Sequence, residues 1–462
     1  MTVNNNELNP LQRDALTMVL VNAFTTPLML SAANVALPSI AKDLRLDAVM
    51  LSWIPMAFLM ASAMFVLVFG RLADMYGRKR IFLLGTMSVI VTSLLAAFSN
   101  SGEFLIGARF LQGMSSAMLY ATQVAIVSSV FPPDKRGHAI GLTVSTIYLG
   151  LTCGPLLGGY LVDAFGWRAS FVFHIPLAIV VLLIGFLKVP GEWCADERGS
   201  FDFKGAILYG VSIILLCVGV STLQGKDSLL AIIIGVTGIW FFFKFAQRTE
   251  HPIFDVRLFF TSRVFTFSCL ASLIIYTAIF ANVVLVSLYL QYLKGSSASH
   301  AGMIMMIQPL TMAIFSLFAG RLSDRVEPRI IASIGMAVTA LGLVMLAQLN
   351  GVSSITYLFS ALFITGLGFS LFSSPNVNAI MSVVEKRYYG SATGSIATMR
   401  VLGQMGSMAI VTLIFALMIG QVEIQPSNYV KLEQAIRTCF AVSAGLCIPG
   451  FIFSLVRGKM HD

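Results

Sequence analysis

Long apolar stretches separated by short polar ones run along the whole chain. Fourteen of them reach or approach the roughly 20 residues that a helix needs to cross a bilayer. They cover 14–37, 49–70, 81–99, 102–130, 137–161, 169–188, 203–223, 229–246, 264–293, 299–320, 330–348, 352–380, 390–419 and 435–456. The pattern predicts an all-α membrane protein, since a polar backbone in lipid is satisfied only inside helices or closed barrels. Only the sequence LQGKDS separates 203–223 from 229–246.

Composition strengthens this picture. Of 462 residues, 57% are hydrophobic and 11% charged, where soluble domains carry about a quarter charged residues. Mean hydropathy is +0.86. The polar start, MTVNNNELNPLQRD, lacks the basic-then-apolar pattern of a cleaved signal peptide. The net charge of +9 fits basic loops on one membrane face rather than a nucleic-acid partner. Twenty-one Lys and Arg fall on the side of the two termini and seven on the other, while Arg109 and Arg400 lie inside spans. That bias predicts a multi-pass protein of the cell membrane with both termini in the cytoplasm. The six cysteines are scattered, with no CxxC or Cys/His cluster, so no metal or cofactor is expected.

The chain repeats itself. GRLADMYGRKR at 70–80 and GRLSDRVEPR at 320–329 each follow one apolar span and precede another. Matched segments in two halves are a transporter signature. They predict a bundle over 13–188, an inserted helix pair over 203–246 and a second bundle over 264–456. Gly70 and Gly77 permit tight turns and close approach. Asp74 can cap a neighbouring helix start or pair with Arg71 or Arg78. With Asp324 in the second copy, these residues form a candidate conformational latch; a charged loop that merely sets topology is the plainer alternative.

Polar residues inside the spans are the candidates for a solute site. Arg109, Gln112, Tyr120 and Gln123 share a face of the fourth span, with Arg109 expected to line an aqueous cavity. Arg400 and Gln404 occupy the thirteenth, where an anchor to backbone carbonyls is the alternative for Arg400. Asn22, Thr26 and Met29 line one face of the first. Asn376 and Asn378 follow Pro375 and suggest a broken or polar-lined helix. His174 stands beside Pro176. In the fifth span Gly150, Gly154 and Gly158 recur every four residues, with Gly159 adjacent. They make a smooth packing face that Pro155 allows to bend.

These motifs, in this order, resemble the major facilitator superfamily, in particular its fourteen-helix branch of drug:proton antiporters. GRLADMYGRKR is similar to the loop motif between helices 2 and 3, ARFLQG at 108–113 to the helix-four motif, and GLTCGPLLGG to the antiporter motif of helix five. NVALP at 34–38, FGWRASFVFHIPLA at 165–178 and MRVLGQMGSMA at 399–409 resemble further segments of that branch. The resemblance implies a major facilitator fold of 6+2+6 helices acting as a monomer. It implies secondary active export of small amphipathic or drug-like solutes, coupled to protons. Met29 stands where the branch usually has an aspartate, Phe58 where a tyrosine is usual, and His174 where asparagine is common. No Asp or Glu lies deep inside any span, which leaves transport of a neutral or anionic metabolite as an alternative. A non-transporting membrane sensor would give the buried charges no purpose. Paired carboxylates, nucleophile triads and phosphate loops are missing, so the chain reads as no enzyme.

Overall fold

The computed structural model of the chain describes residues 8–194, 200–221, 226–323, 325–385 and 389–458. Among these the fold is helical, and the one isolated β-bridge joins Asp47 to Glu423. The first group of helices comprises α1 (Pro10–Val35), α2 (Leu37–Leu44), α3 (Ala48–Tyr76), α4 (Arg78–Ala97), α5 (Gly102–Val130), α6 (Pro133–Phe165), α7 (Ala169–Val172) and α8 (Ile175–Leu187). Next come α9 (Phe203–Ser221), α10 (Lys226–Arg248) and the short α11 (Leu258–Thr261). The last group comprises α12 (Arg263–Ile279), α13 (Asn282–Leu288) with a π-helical turn at Tyr289–Leu293, α14 (Ala298–Met305), α15 (Ile307–Ser323), α16 (Pro328–Ala347), α17 (Ile355–Ser382), α18 (Tyr389–Met418) and α19 (Tyr429–Val456).

Local signals set these boundaries. Asn9 and Gln12 form a capping box at the start of α1. Asp47, Ser101, Ser262, Ser297 and Ser354 accept backbone N–H bonds at the starts of α3, α5, α12, α14 and α17. Thirteen helical segments among the described residues are long and apolar enough to cross a membrane. The expected fourteenth, α5, has 29 residues but is not among them, because Arg109, Gln112, Gln123 and its serines dilute its apolar character. Large side chains such as Leu229, Ile233, Trp240 and Phe241 of α10 point outward, as lipid-facing residues must.

Several expected spans are interrupted. One breaks at Phe173 and His174 between α7 and α8, another at Phe280 and Ala281 between α12 and α13, and a third at Met306 between α14 and α15. Conversely, α17 continues through Pro375 and α6 through Pro155. Of the broken or polar-lined helix expected around Asn376 and Asn378, the break is absent, since α17 runs unbroken through both.

The repeated segment also differs from its expected form as a loop. Gly70 and Asp74 lie in the last turns of α3, and only Gly77, with φ +120°, interrupts the chain before α4. A Cβ on Gly70 would meet Ala121 at an ordinary 3.9 Å, so nothing there requires glycine. Asp74 pairs with Arg78, whose Nη2 lies 2.8 Å away, and Arg78 also donates to Ser129 at 2.6 Å. The N–H groups that open α4 go elsewhere: Lys79 and Arg80 donate to the Glu192 carboxylate at 2.8 and 3.0 Å. Asp324 lies outside the described residues.

The two groups meet closely at one end, where α1 finishes and α14 begins. Gln291 donates to the Val35 carbonyl at 2.9 Å, and Ala48 N–H to the Val422 carbonyl at 3.1 Å. A Cβ on Gly159 would lie 2.2 Å from the Ala298 oxygen, and one on Gly302 would lie 2.1 Å from the Pro155 oxygen. Each group thus brings a glycine against the other's backbone. Gly150, Gly154 and Gly158 instead pack α6 onto α1, at Phe24, Ser31 and Ala32. We refer to this end as the sealed end; α1 starts and α19 finishes at the other.

Candidate functional site

A cavity of about 220 Å³ lies between the two groups. From the first it is walled by α1, α5 and α6, and from the last by α12, α13, α14, α15, α17 and α18. Its polar side chains include Thr26, Tyr120, Gln123, Tyr148, Gln308, Arg400 and Gln404. The remaining wall is apolar and aromatic, with Phe280, Met305, Met312 and Phe369 among the contributors. Aromatic and methionine side chains give such a wall large, adaptable contact area.

One charge faces this space. The Arg400 guanidinium sits 5.7 Å from the centre of the Tyr120 ring, so a cation of α18 meets an aromatic face of α5 across the cavity. Among the described lining residues there is no Asp, Glu or Lys. Asn22 stands behind the wall, donating to the Gln123 carbonyl at 3.4 Å and accepting from Thr26 at 3.4 Å. Asn282 likewise donates to the Gln308 carbonyl at 3.4 Å. Each glutamine carbonyl is thereby engaged, leaving its amide nitrogen for the cavity. Tyr148 reaches Ser373 on α17 at 3.4 Å, a polar link between the groups at mid-depth.

Arg109 is not part of this wall. It is fully buried within the first group, with its guanidinium 4.4 Å from the Phe58 ring centre and 5.9 Å from that of Phe171. It donates to Gln112 and, at 3.4 Å, to the Ile54 carbonyl. Gln112 passes the network on to Ser93 at 2.7 Å and to the Met29 sulfur at 3.3 Å, and Ser93 contacts His174 at 3.2 Å. The cavity role expected for Arg109, Gln112, Met29 and His174 is thus replaced by a buried internal network. The physical reason is depth: these residues lie where α5 is enclosed by α3, α4 and α7 rather than facing the last group. Among the described residues no carboxylate pairs with Arg109; aromatic faces and amides surround the cation instead.

Asn376 and Asn378 also lie away from the cavity. Asn376 donates to the Ser268 carbonyl at 3.0 Å and to Ser272 at 2.8 Å, and accepts from the buried Arg457 at 2.7 Å. Asn378 donates to Ser323 at 2.8 Å. Sequence reasoning brought Thr26, Tyr120, Gln123, Arg400 and Gln404 to the wall but passed over Tyr148, Tyr276 and Ser373. The one signal for the last of these was its position two residues before an intramembrane proline.

At the sealed end, Asp43 of α2 accepts from the Trp167 indole and from Arg168, both at 2.8 Å. These two bonds, the indole's first, hold the Asp43 carboxyl below the usual carboxylate range.

Comparison with known proteins agrees with this architecture. The model of the Major Facilitator Superfamily matches residues 19–407 and 268–460. The chain is 29% identical over 450 residues to the riboflavin transporter RibZ of Clostridioides difficile (strain 630), covering 97% of this chain and 98% of that one. It is 29% identical over 390 residues to the multidrug resistance protein Stp of Mycobacterium tuberculosis (strain CDC 1551 / Oshkosh), covering 83% and 72%. Among solved structures, a POT family transporter in complex with a thioalcohol-conjugated peptide superposes with a TM-score of 0.73 at 14% identity, over 96% of each chain. Helical groups around a cavity and a family match spanning both halves lead to one assignment: this chain belongs to the Major Facilitator Superfamily and is a membrane transporter, not an enzyme.

Proposed function

We propose that this transporter exports small aromatic or amphipathic solutes that are neutral or anionic, by alternating access through the cavity between its two helix groups. The observation that carries this reading is Arg400 facing Tyr120 in a cavity whose described lining residues include no acid. A cationic drug placed there would meet an uncompensated guanidinium. A fused aromatic ring bearing carbonyl or carboxylate acceptors would stack on tyrosine and accept from Arg400, Gln123 and Gln308. Similarity to a riboflavin transporter over nearly the whole of both chains supports such a solute, because riboflavin carries a neutral fused ring with two carbonyls.

The same reading includes α5 as the fourteenth span, and helix groups over 13–188, 203–246 and 264–456. It also includes both termini in the cytoplasm, the cell membrane as location and a functional monomer. Export of drug-like compounds is the second reading, favoured by similarity to Stp. Proton coupling, in either reading, is assigned to a group outside the cavity wall.

Purified protein in liposomes tests the proposal. Flux of riboflavin, of an anionic dye such as fluorescein and of the cation ethidium is compared with and without an imposed pH gradient. The expected result is flux of riboflavin or the anionic dye exceeding that of ethidium. Ethidium moving while the other two stay still sinks the neutral-or-anionic reading.

A further inference from the structure

We propose that Asp163 is the positioning residue that holds the sealed end shut, and that protonating it releases that end. Asp163 lies at the end of α6, in the first group. Its two carboxylate oxygens accept from Ala298 N–H at 3.2 Å and Ser299 N–H at 2.8 Å, the first two residues of α14 in the last group. The other opening N–H groups of α14 are met locally. His300 N–H donates to Ser297 Oγ at 3.2 Å, and Ala301 N–H donates to the Ser297 carbonyl at 3.0 Å. Half of the helix start is therefore capped by its own chain segment and half by a carboxylate of the opposing group. Capping and charge at a helix N-terminus act together here.

The surrounding contacts make this a gate. Gly159 sits one turn before Asp163 on α6, with its missing Cβ 2.2 Å from the Ala298 oxygen. Any rotation that parts the groups at this end must pull Ala298 and Ser299 off the carboxylate. Asp163 is solvent-exposed, so a proton reaches it without crossing the protein.

The neighbouring charges are otherwise occupied. On α2 and the turn after α6, Asp43 and Arg168 pair at 2.8 Å, with Lys42 and Arg45 exposed nearby in sequence. After the π-helical turn, Lys294 donates to the carbonyls of Gly351 and Ser353, each at 2.7 Å. At this end α1 carries no charged side chain, and α6 none besides Asp163. The remaining titratable group is His300 on α14, which is exposed. A carboxylate accepts both backbone bonds; a carboxylic acid gives up part of that capacity and all of its charge. Proton binding and closure therefore oppose each other, and acid on this side favours opening.

The test uses the full chain in liposomes, with Cys153 and Cys194 changed to serine and spin labels attached at Lys42→Cys and Lys431→Cys, which flank the sealed end. Pulsed electron–electron distances are recorded from pH 7.5 to pH 3. The population of the longer distance is expected to rise about two- to fivefold as the pH falls through the carboxylate range. Asp163→Asn should show that raised population already at pH 7.5 and a flattened pH profile, and His300→Gln should keep the profile of the unmodified residue. Ala298→Pro gives a second handle. Proline suits the first position of a helix and removes one donor, so it should give a partial shift without unfolding α14. The proposal is overturned if Asp163→Asn retains the full pH response, if His300→Gln abolishes it, or if no distance changes with pH.

Discussion

Gln112 donates its amide N–H to the thioether sulfur of Met29 across 3.3 Å, so α1 meets the buried Arg109 network through a soft, uncharged acceptor. The first helix group holds a cation with no acid paired to it among the described residues. The cost of burying that guanidinium is offset by the rings of Phe58 and Phe171 and by the carbonyl oxygens of Gln112 and Ile54.

Removing the amide while keeping the cation should be more damaging than removing both. Gln112→Leu strips Arg109 and Ser93 of a shared partner and should destabilise the protein by about 2–3 kcal/mol. Adding Arg109→Met to that variant replaces the orphaned charge with an apolar chain of similar length and should restore at least about 1 kcal/mol. Thermal unfolding in detergent measures both. Strict additivity of the two changes would show that they do not share one network.

Arg400 should discriminate solutes by charge. Arg400→Ala is expected to weaken an anionic solute about tenfold, which is about 1.4 kcal/mol, and a neutral one less. Arg400→Lys keeps the charge but loses the flat group that faces Tyr120, so it should restore only part of the anion's affinity. Equal losses for charged and neutral solutes in a binding titration would place Arg400 in a purely structural role.

Two adjacent glycines of α6 should fail in different ways. Gly158→Ala puts its methyl 2.6 Å from Ala32 within the first group and should lower stability by about 1–3 kcal/mol. Gly159→Ala meets the Ala298 oxygen of the opposing group, so it should disfavour closure and reduce transport with a smaller change in melting temperature. Melting curves beside flux assays separate the two. Matching effects from both substitutions would contradict the division of labour between the two faces of α6.

The Asp43 cluster predicts an acid-sensitive contribution to stability. Its carboxyl is held below the ordinary range by Trp167 and then Arg168, so its contribution is complete at neutral pH and declines as the pH falls through that lowered range. Asp43→Asn should lower the melting temperature at pH 7 and reduce its further fall between pH 5 and pH 3. An unchanged slope would remove Asp43 from the account.

Hydropathy made the helices legible because lipid demands long apolar runs. It missed the break at Phe280, which carries no glycine or proline to announce it, and the one at Met306, where Pro309 three residues on has no N–H to give the Met305 carbonyl. In-span polar residues were equally visible, but their surroundings were not. Arg109 and Gln123 lie on related faces of α5, about four turns apart. One is enclosed by neighbouring helices and the other reaches the cavity, because crossing helices cover different depths of one face. Asp74 was readable as a partner of Arg78. Glu192, which in fact caps α4, lies in a linker more than a hundred residues away, and nothing local ties it to Lys79.

The sealed end is built largely from main chain: glycines against carbonyl oxygens, N–H groups on Asp163, and carbonyls of Val35 and Val422 as acceptors. The cavity is built from side chains. Substitutions that retune the solute therefore leave the closing surface untouched, and a chain of this design can drift among cargoes over evolutionary time while its gate keeps working.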